Sequence, residues 1–225
     1  GGSRVKSAVI PKQFIEIGGV PVIIRTVRAF LAVEEIDMVY VGIKPDWHDY
    51  TDELFERFGI DKERVRVIDG GADRNGTVMN IAEAIVAEHG ENEGDIILTH
   101  DAVRPFVTEK IIRDNISAMA KHSACGTYMP AADTIIRSDG EKVRETLNRS
   151  ELYQAQTPQT FRLGDLRRNY YSLIEEQNKK LTDTCSVFTA CNEDIYLVVG
   201  DALNFKITTD SDLRMANALA ELNEK

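Results

Sequence analysis

The chain has 225 residues, 43% of them hydrophobic, with a formal net charge of −10 and a pI near 5.0. That size and apolar fraction are enough for one full core, while the acidic balance excludes a nucleic-acid coat, which needs a basic face. No apolar run approaches a membrane span and no secretory leader pattern is visible, so neither a membrane nor a nucleic acid is an expected partner. Cys125, Cys185 and Cys191 are an odd number without CxxC spacing, which fits free thiols in a reducing cytoplasm better than disulfides or a zinc site.

The first stretch, "GGSRVKSAVIPKQFIEIGG", is a basic, proline-punctuated loop. A doubly wound sheet opens with a strand feeding a glycine-rich turn, so the first strand is expected to lie outside this chain. Gly1 and Gly2 then read as the tail of a phosphate-binding loop, or else as a cloning remnant. Arg4 and Lys12 supply the cations such a loop wants.

Apolar residues at helical spacing follow over 20–33, then a β-branched run at 37–43, a helical pattern at 45–58 and a second strand-like run at 64–70. The turn "GGADRNGT" (70–77) leads into a helical pattern at 76–89, with Asn75 or Thr77 as candidate caps. The run "DIILTHD" (95–101) ends in "DAVRPF", which sets Asp101 and Arg104 where a strand's carboxyl end meets solvent. A helix is expected over 108–122. His100 reads as a strand residue only.

The rhythm then breaks. No long helical pattern covers 131–162, and the Asp139-Gly140 pair between two extended runs predicts a hairpin. The 131–155 segment is read as a protruding β-arm, which caps a site or reaches a partner. "LYQAQTPQTF" (152–161) is a polar run that fits a loop, "LTDTC" (181–185) fits a helix start capped by Thr182 or Asp183, and "IYLVVGD" (195–201) is a further strand. "NFKITTDSDL" (204–213) places Lys206 before a last helix. The alternation predicts one α/β domain over 1–225, a doubly wound, mostly parallel Rossmann-like sheet with helices on both faces.

"PKQF", "GGADRNGT", "DAVRPF", Asp133-Thr134, "QTPQTF", "LTD" and "NFKITT…DL" occur in the order and spacing of the cytidylyltransferases that activate sugar-alcohol phosphates. The chain resembles that family from Ser3 to its last helix. The family includes 2-C-methyl-D-erythritol 4-phosphate cytidylyltransferase and the ribitol-5-phosphate cytidylyltransferases that supply CDP-ribitol for teichoic acids. "THDAVRPFVTEKIIRDNI", "LYQAQTPQTF" and "NFKITT" look closer to the ribitol branch, whereas Thr184-Cys185-Ser186 departs from the usual residues after "LTD".

The resemblance implies attack of a phosphomonoester oxygen on the α-phosphorus of CTP, with pyrophosphate expelled and no general base, because the nucleophile is already largely ionised. It implies Arg4, Lys12 and Lys206 as the cations offsetting phosphate charge. It places Gly1, Gly2, Gly71, Ala72, Asp73, Arg74, Thr77, Asp101 and Ala102 around CTP. Asp101, Arg104, Thr134, Arg149, Thr157 and Thr182 fall around the polyol phosphate. Mg²⁺ is implied on the triphosphate, with Asp101 as a ligand, and the arm implies a homodimer that shares its sites. The alternatives are a methylerythritol-phosphate substrate in place of ribitol 5-phosphate, or a nucleotide-binding protein without catalysis. A glycosyltransferase needs an Asp-x-Asp at a strand end, and "DSD" (210–212) instead precedes the last helix.

Overall fold

The computed structural model describes residues 10–173 and 181–223. A 3-10 turn, Lys12–Phe14, leads to a small hairpin of β1 (Glu16–Ile17) and β2 (Val20–Pro21). Gly18 and Gly19 turn it, at φ of 53° and 72°, where a side chain would be strained. Helix α1 (Val22–Leu31) buries Val22, Ile23, Ile24, Val27 and Phe30 along one stripe. Then come β3 (Val39–Ile43), α2 (His48–Arg57), β4 (Val65–Asp69), α3 (Arg74–His89), β5 (Ile96–Thr99) and α4 (Glu109–Ala118). Each lies inside a segment whose periodicity predicts it, except α3, which starts two residues before the predicted 76–89 because Asp73 caps it. Thr108 likewise accepts from the Ile111 N–H and starts α4.

The remaining elements are β6 (Ala124–Pro130), β7 (Ile136–Ser138), β8 (Val143–Thr146), β9 (Tyr153–Arg162), α5 (Leu163–Ser172), α6 (Cys185–Ala190), β10 (Tyr196–Val199) and α7 (Asp210–Asn223). Strands β7 and β8 pair antiparallel around Asp139-Gly140, as that dipeptide predicts, with Gly140 at φ 100°. Asp139 Oδ1 accepts from the N–H groups of Glu141 and Lys142 and fixes the turn. Every residue of both strands is exposed.

One expectation is corrected here. The polar run at 152–161 is the ten-residue strand β9 rather than a loop, and it runs antiparallel to both of its neighbours in a sheet ordered β10-β6-β9-β5. The sheet is therefore mixed. Among the described residues it is also divided, because β3 and β4 pair parallel as a separate two-stranded sheet. Residues of β3 and β5 line a slot of about 780 Å³, with α1 residues Thr26, Val27 and Phe30 and α3 residues Val78, Ile81 and Ile85 also lining it. The carboxyl ends of both strands open at one end of the slot, near Arg74, Asp101 and Ala102.

The largest core lies between α3, β9, α5 and α6. Phe161 stacks on Phe188 at 4.8 Å, and Leu163, Leu166 and Val187 close around them with no more than 1% exposure. Burying each such side chain stabilises the fold by about 1.5–3 kcal/mol. A second core packs Phe14, Ile23, Ile24, Phe55 and Val65 between α1, α2 and β3–β4. Together these cores hold the strand ends from which the polar side chains below project.

Candidate active site

The turn after β4 shows why glycine is required. A Cβ on Gly71 would lie 2.4 Å from the Gly76 carbonyl carbon, so no side chain fits without moving backbone. The turn is closed by its own polar groups: the Gly71 N–H donates to Thr77 Oγ1 at 2.8 Å, and the Thr77 hydroxyl donates to the Asp73 carbonyl at 2.9 Å. Asp73 caps α3 through Gly76 N–H at 2.7 Å, in place of the predicted Asn75 or Thr77. Thr77 thus shapes the turn with its hydroxyl.

At the end of β5, Asp101 sits among three cations. Arg74 Nε lies 3.2 Å from Oδ1, while Arg104 Nε and Lys206 Nζ each lie 3.2 Å from Oδ2. The carboxylate side chain is only 12% exposed. Burial alone would raise its pKa, but Arg74, Lys206 and Arg104 outweigh that and hold it at about 2. One buried carboxylate cannot neutralise three cations, so the strand end carries net positive charge within an acidic protein.

Lys12 comes to the same region from the start of the chain. Its ammonium donates to the Thr208 carbonyl, two residues after Lys206. Asp212 accepts from the N–H groups of Thr208 and Thr209 at 2.8 Å and pins that segment. Arg74 and Lys206 thus meet on Asp101, and Lys12 is bonded to the segment that carries Lys206. Ala102 adjoins them, its carbonyl accepting from Thr26 Oγ1 at 2.9 Å. Gly1, Gly2 and Arg4 lie outside the described residues.

Several assigned side chains have other tasks. Arg104 is 8% exposed and donates to the carbonyls of Asn204 (2.8 Å) and Ala155 (3.5 Å) besides Asp101, so it builds the turn. Thr157 is 4% exposed, and its hydroxyl is bonded to His100 Nδ1 and to the Asp101 N–H. Thr134 and Arg149 lie at the base of the β7–β8 hairpin, where Arg149 donates to the Ala132 carbonyl at 2.9 Å. Thr182 is exposed, while Asp183 accepts the Ser186 N–H at 2.9 Å and caps α6. None of these five is seen in contact with the Lys12–Arg74–Asp101–Lys206 group except Arg104 and Thr157.

Sequence reasoning missed the 183–185 turn as part of this network. Arg74 Nη1 donates to Thr184 Oγ1 at 2.6 Å, Gln159 Nε2 to Asp183 Oδ2 at 2.6 Å, and the N–H of Thr184 to Gln159 Oε1 at 3.2 Å. The chemistry of these donors gives no local signal, because every partner is remote in sequence.

Asp101, implied as a ligand of a metal carried mainly on the CTP phosphates, is surrounded here by cations. Both its oxygens are occupied by cations, and among the described residues no group of three or more His, Cys, Asp or Glu side chains could hold an ion. The residues do not fit a protein-held divalent centre.

A sequence profile described as 2-C-methyl-D-erythritol 4-phosphate cytidylyltransferase, IspD, matches residues 1–221. The chain belongs to this family. It is therefore a cytidylyltransferase, a nucleotidyltransferase that uses CTP. Among solved structures it is similar to 4-diphosphocytidyl-2C-methyl-D-erythritol synthase of Anaerococcus prevotii, with a TM-score of 0.81 and 30% identity over 93% of each chain. It is also similar to the 2-C-methyl-D-erythritol 4-phosphate cytidylyltransferases of Francisella tularensis (TM-score 0.78, 27% identity, 93% of each chain) and Thermus thermophilus (0.75, 27%, 94% of each). For a cytidylyltransferase, a cluster of lysines and arginines at the strand ends of a mixed α/β sheet is the expected chemistry, since both reactants are anions.

Proposed function

We propose that this enzyme transfers CMP from CTP to 2-C-methyl-D-erythritol 4-phosphate. The observation that carries the reaction type is the excess of positive charge around Asp101. A phosphate dianion approaching a triphosphate meets repulsion, and Lys12, Lys206 and Arg74 supply positive charge where it builds up. Asp101 keeps Lys206 and Arg74 apart and aimed. Gly71 and Ala72 offer main-chain groups to a pyrimidine in a turn too tight for a side chain. Supporting the methylerythritol substrate are the names of the similar solved structures, at 27–30% identity. Ribitol 5-phosphate, towards which "QTPQTF" and its neighbouring motifs lean, is the comparison substrate.

The same reading has the β7–β8 hairpin and its base, residues 131–155, cross to a second copy and bring Thr134 and Arg149 to that copy's substrate phosphate. Exposed Ile136 (45%) and Val143 (62%) on a fully exposed hairpin support a partner surface there. Three free thiols, Cys125 and Cys185 buried and Cys191 partly so, support a reducing cytoplasm. Among the described residues no helix is long and apolar enough to cross a membrane.

Pyrophosphate release from CTP tests the substrate, with each polyol phosphate offered separately and Mg²⁺ supplied with the nucleotide. Methylerythritol phosphate should exceed ribitol phosphate by about tenfold or more in kcat/KM, the scale at which a pocket rejects a substrate of the wrong shape. A preference for ribitol phosphate would assign the enzyme to CDP-ribitol synthesis.

A further inference from the structure

His100 precedes the acid of the site, and its ring is held on three sides. Phe30 packs on it with centroids 4.9 Å apart. Nε2 lies 3.1 Å from the Arg104 carbonyl, and Nδ1 lies 2.9 Å from Thr157 Oγ1. A carbonyl oxygen only accepts, so Nε2 carries the proton and Nδ1 is left as an acceptor. The Thr157 hydroxyl must then donate its one proton to Nδ1. Its oxygen accepts the Asp101 N–H at 3.1 Å.

The chain of donors therefore has a single direction: Asp101 N–H to Thr157, Thr157 to His100, His100 to the Arg104 carbonyl. It closes over the turn whose own backbone bond runs from Arg104 N–H to the Asp101 carbonyl at 3.0 Å. Asn204 Nδ2 adds a bond to the Thr157 carbonyl at 2.8 Å, and Arg104 Nη1 to the Asn204 carbonyl at 2.8 Å. The segment that carries Lys206 hangs from the same unit.

We infer that His100 is a positioning residue for cytidylyl transfer: its neutral Nε2–H tautomer commits the Thr157 hydroxyl and so fixes Asp101, Arg104 and the Lys206 segment in one geometry. It touches no reacting atom, and nothing in its bonds makes it a base. This assignment rests on the cytidylyltransferase reading. Thr157 becomes part of the frame, with no proton left to give a substrate phosphate. A loss of about 1 Å in the placement of a catalytic group can cost about a hundredfold in rate, so removing one of two bonds on the turn should cost about tenfold or more in kcat.

The test pairs kinetics with spectroscopy. His100→Phe keeps the packing on Phe30 and removes both bonds, and Thr157→Val removes the hydroxyl. Each should lower kcat about tenfold or more while KM for CTP stays within about twofold, and the double variant should be no worse than either single one, because both break the same chain. His100→Gln, which keeps a donor and an acceptor, should recover part of the loss. Additive losses, or a change confined to KM, overturn the inference. Thermal melting well above the assay temperature confirms that each variant is folded. Independently of activity, ¹⁵N shifts of the wild-type imidazole at pH 7 should report a neutral ring protonated at Nε2, and Thr157→Val should move the Asp101 amide resonance. A ring protonated at Nδ1, or charged, overturns it even if a variant fails to fold. If the wild type releases no pyrophosphate with any polyol phosphate, the cytidylyltransferase reading fails instead, and the spectra still decide the geometry.

Discussion

Arg74 donates to the Thr184 hydroxyl at 2.6 Å and to Asp101 at 3.2 Å, joining loops that the chain keeps far apart. One guanidinium at the start of α3 thus couples the 70–77 turn to the 183–185 turn and to Asp101. A lysine has a single point of charge and cannot reach both partners. Arg74→Lys should therefore reduce kcat/KM by about tenfold to a hundredfold, the range for losing an oriented donor. Thr184→Val, which spares the Asp101 pair, should cost less. Steady-state kinetics on the two variants checks the order.

On the proposed reading Lys12 offsets charge that grows on the leaving pyrophosphate, and its removal should be felt in the transition state more than in the ground state. Lys12→Ala is expected to reduce turnover by about a hundredfold or more with a smaller change in CTP affinity. Because its ammonium is bonded to the Thr208 carbonyl, the variant should also loosen the 206–209 segment, visible as faster amide exchange there. Near-normal turnover would remove Lys12 from the reaction.

If the 131–155 segment serves a second copy, two inactive proteins can repair each other. Lys12→Ala mixed with Arg149→Ala should regain activity after subunit exchange, since a heterodimer contains one site with both residues intact. A mixture as inactive as its components would place Arg149 within its own chain's site or outside the reaction.

Acid should destabilise the protein in two steps. Loss of contact with water pushes the His100 imidazole down to about 4 from 6.5. Between those values the unfolded chain binds a proton and the folded one does not, so stability rises with pH and is lost as pH falls from 6.5 through 4. Asp101, held at about 2 against 3.8, adds a contribution present above 3.8 and lost as pH falls towards 2. Urea unfolding at pH 7, 5 and 4 should show the first step, and His100→Phe should flatten it.

Strands at 39–43, 65–69, 96–99 and 196–199 were legible because β-branched residues between turn signals have few other uses. Strand β9 was not. Its buried residues include Gln156, Thr157, Gln159 and Thr160, which satisfy themselves with remote partners, and Pro158 sits inside it where a central strand seldom tolerates proline. A hydrophobicity pattern cannot announce a strand whose inner face is polar. Lys12, Asp101 and Lys206 could be named as candidates from motifs, whereas the bonds that tie Arg104 and Thr157 into the turn needed coordinates. Their residue types suit a phosphate equally well, and only the occupied bonds decide.

The slot between β3 and β5 sets a gradient of amide protection across the molecule. Strands β6 and β9 are paired on both sides, so their N–H groups exchange only through large openings. Among the described residues β3 and β5 have one paired side each, and the amides aimed into the slot are the weak rows of the sheet.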